Sequence, residues 1–423
     1  MKIFGCIVGL ALLSVQVSCL ESPPGAETLA ACTNIAVRKE VRSLTSAEWS
    51  AYTEAAKAAY NDKWVDWFGY LHDRIAMPIH GNSMFLVYHR ALTRDYEKIL
   101  RGYNPSVSVP YWNSMVDYQK PDTSAVLSNT GVGGNGQGDG GCVSTGFAST
   151  WEYSYPSNHC LRRKYNNGAS ISPWYSPEFV THILQSSVKY SDIRAGLENS
   201  IHGVIHLSLA GEMDTMYSPE DPVFWIHHAN IDRLFSQWQA VNPDERTYQI
   251  DGAAPDGSVM TLNTPLVGGT SKPTYTVMRL GYGDMCYTYD TIEKATAGDD
   301  ASLLKRNVQK CIPRPNPATE AIKQLPVHVL EKFYPSFANG TVNPLENEMT
   351  SLTPLHPIGY DGTFVPKSPN EELRGKMPVP AKLTAEWKSM QNACEEEVKE
   401  LEDRACAMVE ALNKANYLSP YLF

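Results

Sequence analysis

Histidines standing where a hydrophobic core needs hydrocarbon constrain this chain more than any other feature. In the stretch from Ile201 to Trp238, Phe224, His228, Ile231, Phe235 and Trp238 recur at 4-3-4-3 spacing, the inward stripe of a helix. Asp221-Pro222 precedes it and supplies a cap and a first helical residue whose missing N–H costs nothing. His202 and His206 are four apart, so a helix projects both from one face, with Glu198 one turn earlier. A lone inward histidine is ordinarily a satisfied core residue. Three on two helices, beside a carboxylate, would be costly to bury unpaired and call for a metal.

The pattern has an earlier counterpart. His72 shares a stripe with Val65, Phe68 and Ile75, and His89 shares one with Phe85, Leu92, Tyr96 and Ile99. Met77-Pro78-Ile79 breaks the chain between these helices and delivers His80 at the entrance of the second. The expected fold is mainly α: a four-helix bundle core with a polar centre holding two metals, long loops, and a C-terminal extension ending in an amphipathic helix. Three neutral imidazoles per ion, without thiolate or carboxylate, suit copper, zinc or iron and leave an open position. Di-iron bundles rely on Glu and Glu-x-x-His, a set this chain lacks. Zinc pairs usually recruit bridging carboxylates, which leaves copper, the metal of the three that binds dioxygen between two all-imidazole sites.

Length and charge narrow the classes of partner. The chain of 423 residues is long enough for a large core, and its net charge of -10, with no Lys/Arg cluster, argues against nucleic acid or an anionic membrane. Residues 1–19 have Lys2, an apolar run and a small-residue end, which reads as a secretory signal and predicts a secreted protein. No later stretch is apolar for long enough to span a bilayer. The nine cysteines then read as disulfide material. Cys142 and Cys160 are candidates to pin a Gly-rich loop, while Cys394 and Cys406, about 18 Å apart along one helix, cannot pair with each other.

Other segments are less patterned. A helix opened by Thr45 or Ser46, with Glu48 in its first turn, precedes the first histidines. Residues 121–171 read as loop, either a flexible insertion or a lid over the site. MRLGYGDMCYTYD reads as a strand or turn closing the domain, and LPVHVLEKFY as strand-like. From Leu383 through Trp387, Met390, Cys394 and Val398 to Leu412, an apolar stripe reads as one long helix. Three units are expected: a signal at 1–19, a catalytic domain at 20–290, and an extension at 291–423.

The stretches HGNSMFLVYHRALTRDYE and DPVFWIHHANID resemble the two copper signatures of the tyrosinase, catechol oxidase and molluscan haemocyanin superfamily. The resemblance runs from about Arg38 to Tyr289 and includes RKEVRSLTSAE, VPYW and the tyrosines Tyr287 and Tyr289. It implies two copper ions, the first held by His72, His80 and His89, the second by His202, His206 and His228. His227 points about 100° from His228 on a helix and is expected either to support the ligands from outside or to be structural. Phe224 is expected either to pack on a ligand ring or to be plain core, and Asp232 to accept a hydrogen bond or anchor Arg233. His159, His182, His328 and His356 lack partners at useful spacing and are read as ordinary residues.

The resemblance further implies oxidation of small phenolic substrates, o-diphenols to o-quinones, with O2 reduced to water, and hydroxylation of monophenols where the phenolate reaches copper. Glu198 is the candidate for holding the water that takes the phenol proton. Hydroxylating members often have Asn where this chain has Gly203, which weighs against monophenols. No cysteine lies between His72 and His80, so no thioether to His80 is expected. In relatives such an extension often covers the copper pocket until proteolysis, and Lys305-Arg306 offers a cleavage point. Asn339-Gly340-Thr341 is the one glycosylation sequon. A haemocyanin-like oxygen carrier and a non-catalytic copper protein are the competing expectations. Oligomeric state is open.

Overall fold

The computed structural model describes residue 25 and residues 28–268, 271–290, 322–339 and 376–419. Residues 1–19, the Lys305-Arg306 pair, Cys311, His356 and the last two residues of the sequon lie outside these. As expected, the fold is mainly helical. The principal helices are α1 (Ser46–Asn61), α2 (Trp64–Arg74), α3 (Ala76–Ile79), α4 (Met84–Tyr103), α5 (Pro177–Ser186), α6 (Tyr190–Leu197), α7 (Gly203–Leu209) and α8 (Pro222–Val241). After them come α9 (Val327–Phe333), α10 (Ala385–Met390) and α11 (Glu395–Lys414). Among the described residues no helix is long and apolar enough to cross a membrane.

The starts of these helices follow local chemistry. Thr45 and Glu48 form a reciprocal capping box on α1. The Asp221 carboxylate accepts the Val223 N–H at 2.8 Å with Pro222 at the first helical position of α8. The α3 turn contains Met77-Pro78, so the break after α2 falls at Ile75, and the chain re-enters helix for one turn before His80.

The core is built on α4 and α8, which pack together, with α1 on α4 and with α5 and α6 on α8. A buried charge network sets the register of the central pair. Asp232 of α8 accepts from Arg90 Nε of α4 at 2.5 Å, Arg38 Nη1 at 3.4 Å, and the hydroxyls of Tyr287 and Tyr289, both at 2.6 Å. Arg38 also reaches Glu97 at 3.0 Å and stacks 3.6 Å over Tyr287. Asp232 thus ties α8 to α4, while Arg233 bonds Asn230. Arg38 and the two tyrosines come from β1 (Ala36–Arg38) and β2 (Tyr287–Tyr289), a parallel pair in which Ala36 faces Tyr287 and Arg38 faces Tyr289. The Cys32–Cys286 disulfide closes that end of the domain. Within MRLGYGDMCYTYD, the last three residues before Asp290, Tyr287–Tyr289, are thus a strand.

The Gly-rich run is pinned as expected by Cys142–Cys160. It packs on α1 through Trp49 Nε1 to Thr130 O at 3.0 Å and is held by Arg163, which reaches Gly133 O and pairs with Asp221. It is not the segment in contact with the second histidine group, a position Trp387 takes instead.

Two expectations in the extension are corrected. LPVHVLEKFY forms helix α9, because Pro326 can start a helix and Val329, Leu330 and Phe333 bury at helical spacing. The stripe from Leu383 to Leu412 is two helices, not one. Asn392 takes a left-handed conformation (φ 50°) between α10 and α11, and apolar periodicity continues across the break because both pieces pack on the same body. Cys394 and Cys406 are both unpaired. Contacts to the domain include Phe333 O with His182 Nδ1 (2.7 Å), Ala381 N with Pro173 O (2.9 Å), and Glu397 with Arg194 (3.4 Å).

Candidate metal centre

Six histidines from α2, α4, α7, α8 and two helix entrances converge in the core, each only 1–2% exposed. His72, His80 and His89 form one metal-sized group. His72 Nε2 and His89 Nε2 are 3.2 Å apart, and the His80 ring lies 5.1 Å and 5.0 Å from theirs. On the opposite side, His206 Nε2 faces His228 Nε2 at 3.4 Å, with the His202 ring 4.6 Å from His206 and 5.1 Å from His228. The His89 and His228 rings stack at 4.4 Å, so the groups share one chamber.

Backbone carbonyls choose the tautomer of five of these rings. Nδ1 lies 2.9 Å from Ala76 O in His80, 2.8 Å from Phe85 O in His89, and 3.2 Å from Glu198 O in His202, in each case four residues back. His72 Nδ1 lies 2.6 Å from Met216 O and His206 Nδ1 2.5 Å from Met213 O, both on the loop before α8. A carbonyl only accepts, so each Nδ1 carries the proton and each Nε2 presents a bare lone pair. Burial keeps the rings neutral, pushing His72 down to about 4 and His206 down to about 3.

Lone pairs facing one another in a dry chamber repel unless a cation sits between them. His202 Nε2 is buried without a hydrogen-bond partner, as is Nδ1 of His228. Imidazole-only donors with fixed outer hydrogen bonds fit copper. The residues present therefore fit a pair of such ions.

His227 stands beside the second group of rings. Its ring, although on a different face of α8 from His228, lies 5.7 Å from His202 and 5.4 Å from His206, and its ring nitrogens are close enough to theirs to form a metal-sized group. Both its nitrogens are buried without partners. His228 has the better geometry for the pair of sites, because it meets His206 nitrogen to nitrogen while stacking on His89. Phe224 packs 4.1 Å from the His228 ring and 5.3 Å from that of His72.

Glu198 is not on a simple helical face with His202. Residues Glu198–His202 form a π-helical turn, a widening often found where side chains converge on a function. Its carboxylate is buried and held from two sides, accepting from Gly81 N at 2.7 Å and Arg194 Nη1 at 3.1 Å. Burial pushes it up to about 7, against the lowering effects of Arg194 and the Gly81 N–H.

Three features of the site were not legible in spacing. Trp387 of α10 stands 5.3 Å from the His206 ring and 6.2 Å from that of His202. Gly81, at φ 68°, lies where a Cβ would meet Asn392 O at 2.2 Å, so only glycine lets the extension approach there. A Cβ on Gly203 would come within 2.9 Å of Leu383 Cδ2 and 3.0 Å of Trp387 Nε1. The residue that seemed to bear on substrate choice is small for a second reason, the packing of the extension. His159, expected to stand alone, is also in company, beside Glu212 and Glu220.

A helical protein with two convergent imidazole groups at its centre belongs to the class of binuclear metal proteins. Comparison narrows this further. The family profile described as the common central domain of tyrosinase matches residues 50–241. A tyrosinase of Aspergillus flavus is 31% identical over 313 residues, covering 66% of this chain and 87% of that protein. A tyrosinase of Streptomyces antibioticus is 29% identical over 251 residues, covering 54% and 90%. The polyphenol oxidase structure from Thermothelomyces thermophila shares the fold, with a TM-score of 0.50 at 21% identity over 61% of this chain and 89% of that one. The chain belongs to the tyrosinase family.

Proposed function

We propose that this chain is a copper-dependent phenol oxidase that converts o-diphenols to o-quinones with O2 reduced to water, and that its C-terminal extension keeps it latent. The convergence of Nε2 lone pairs, with the opposite nitrogens tied to carbonyls, carries the reading. We assign His72, His80 and His89 to one copper and His202, His206 and His228 to the other. Bound there, the copper pair supplies dioxygen binding and redox capacity.

The chain's own residues supply the rest. Carbonyls of the 213–216 loop hold one ring of each group in orientation, so ligand direction is set before any substrate arrives. Phe224 and Phe85 form dry walls around the rings. Glu198, anchored by Gly81 and Arg194, is positioned to hold the water that takes a phenol proton. Trp387 and Leu383 exclude a phenol ring while they remain in place, and the proposed export through residues 1–19 would bring the protein to a compartment suited to its disulfides.

One observation favours a second reading. Six rings at 1–2% exposure admit a molecule as small as O2 more readily than an aromatic substrate, which suits a reversible oxygen carrier. Oxygen uptake by the copper-loaded full chain separates the two, measured with catechol and with the matching monophenol, before and after limited proteolysis. Uptake with catechol after proteolysis supports the oxidase. Reversible oxygenation without quinone in either state supports the carrier.

A further inference from the structure

Outside the six-histidine chamber, a second set of donors surrounds a common point. His159 stands on a short strand paired with Glu152–Tyr153, next to the Cys142–Cys160 bridge. Its Nδ1 lies 2.6 Å from Ser157 O, an acceptor, so Nδ1 carries the proton in the neutral ring and Nε2 presents its lone pair. That nitrogen lies 3.3 Å from Glu212 Oε1 and 3.2 Å from Glu220 Oε2. Both glutamates are fully buried, and the His159 side chain is 8% exposed.

These contacts lack the form of hydrogen bonds. His159 Nε2 has no hydrogen-bond partner despite the two nearby oxygens, and neither Glu220 oxygen has one. Arg162 satisfies Glu212, with Nε 2.9 Å and the backbone N–H 3.1 Å from Oε1, but nothing does so for Glu220. A charge-assisted N–H···O bond would be about 2.7–2.9 Å long. Ligands about 2.0–2.1 Å from a tetrahedral zinc-sized ion stand about 3.3 Å from one another, the separation seen here on both edges from His159.

We propose that His159, Glu212 and Glu220 form a third metal site, separate from the six-histidine chamber, for a divalent cation of the zinc type. One imidazole and two carboxylates fill three positions. Water fills the fourth from the adjoining cavity of about 340 Å³, which His159 lines with Lys63, Ser154 and Asn158. The ion offsets the two buried carboxylates that Arg162 alone cannot balance. Its role is structural. Glu212 and Glu220 bracket the loop whose Met213 and Met216 carbonyls orient His206 and His72, and the ion fastens this loop to the strand carrying His159.

The test is a metal count on the full-length protein. Copper-loaded chain is dialysed against excess zinc, then against metal-free buffer, and both elements are measured in wild type, Glu220→Gln and His159→Gln. The expected result is one retained zinc per wild-type chain, lost in both variants, with copper unchanged in all three. Failure of the wild type to retain zinc overturns the site. Equal zinc retention in wild type and variants overturns it as well. Should either variant fail to fold, zinc-edge X-ray absorption on the wild type decides. One imidazole with oxygen ligands supports the site, and an all-imidazole set, which places zinc in the histidine chamber, overturns it. The outcome is independent of whether the protein oxidises phenols.

Discussion

Trp387 stands 5.3 Å from the ring of His206, so a residue of the C-terminal extension is part of the wall of the metal chamber. It is 3% exposed and packs in a small cluster with Leu383 and Val398, apart from the main core. The cover is therefore a local contact that can release without unfolding the body beneath.

Replacing Trp387 by Ala should open the chamber in the full-length chain. Copper content should stay at that of the wild type, while catechol oxidation by unproteolysed protein rises at least roughly tenfold, equivalent to about 1.4 kcal/mol of restricted access. Unchanged activity in a copper-replete variant would sink the covering role.

Gly203→Asn tests the same contact from below. The new side chain must push aside Leu383 Cδ2 and Trp387 Nε1, at 2.9 Å and 3.0 Å from its Cβ. The expected outcome is displacement of α10, read as faster limited proteolysis and increased catechol turnover. If the substitution instead leaves proteolysis unaltered, the extension does not rest on Gly203 in solution.

His227 and His228 can be told apart by copper stoichiometry. His228→Ala removes a ring that meets His206 Nε2 at 3.4 Å, and should halve the bound copper. His227→Ala should retain the wild-type content. The reverse pattern would transfer the ligand role to His227.

Asp232→Asn should be among the most destabilising single changes. It leaves the buried guanidiniums of Arg90 and Arg38 short of a counter-charge, a loss of about 3–5 kcal/mol for a broken buried pair. Thermal or denaturant unfolding measures it, and a change below about 1 kcal/mol would contradict the role given to this network.

The same network predicts an acid limit. Burial alone would raise both carboxyls, but Arg90 and Arg38 hold Asp232 below its ordinary value, and Arg38 and Arg94 do the same for Glu97. A lowered folded value contributes stability that is complete above the unfolded value of about 4 and is lost as pH falls through the folded value. Unfolding free energy should therefore decline below about pH 4 in wild type, with a shallower decline in Asp232→Asn. Equal slopes would exclude Asp232 as a contributor.

Much of the site could be read from spacing because its causes are local. The stripes containing His72, His89 and His228 and the cap at Asp221 follow from helical periodicity and capping within a few residues. The π turn at Glu198–His202 escaped because the sequence there is compatible with an ordinary helix, and the wider turn is settled by what packs around it. The break at Asn392 escaped because apolar periodicity reports burial and says nothing of whether the backbone between two buried turns is continuous.

The sequence by itself determined which helices carry imidazole inward and where they begin, since side-chain period and capping are properties of neighbouring residues. Only the tertiary structure decided that Met213 and Met216 orient His206 and His72, that Trp387 walls the chamber, that Gly203 and Gly81 are small because the extension lies against them, and that His159 meets Glu212 and Glu220. All but the Met213–His206 contact, which spans seven residues, join segments far apart in the chain, and no local propensity encodes which distant surfaces meet when the core is buried.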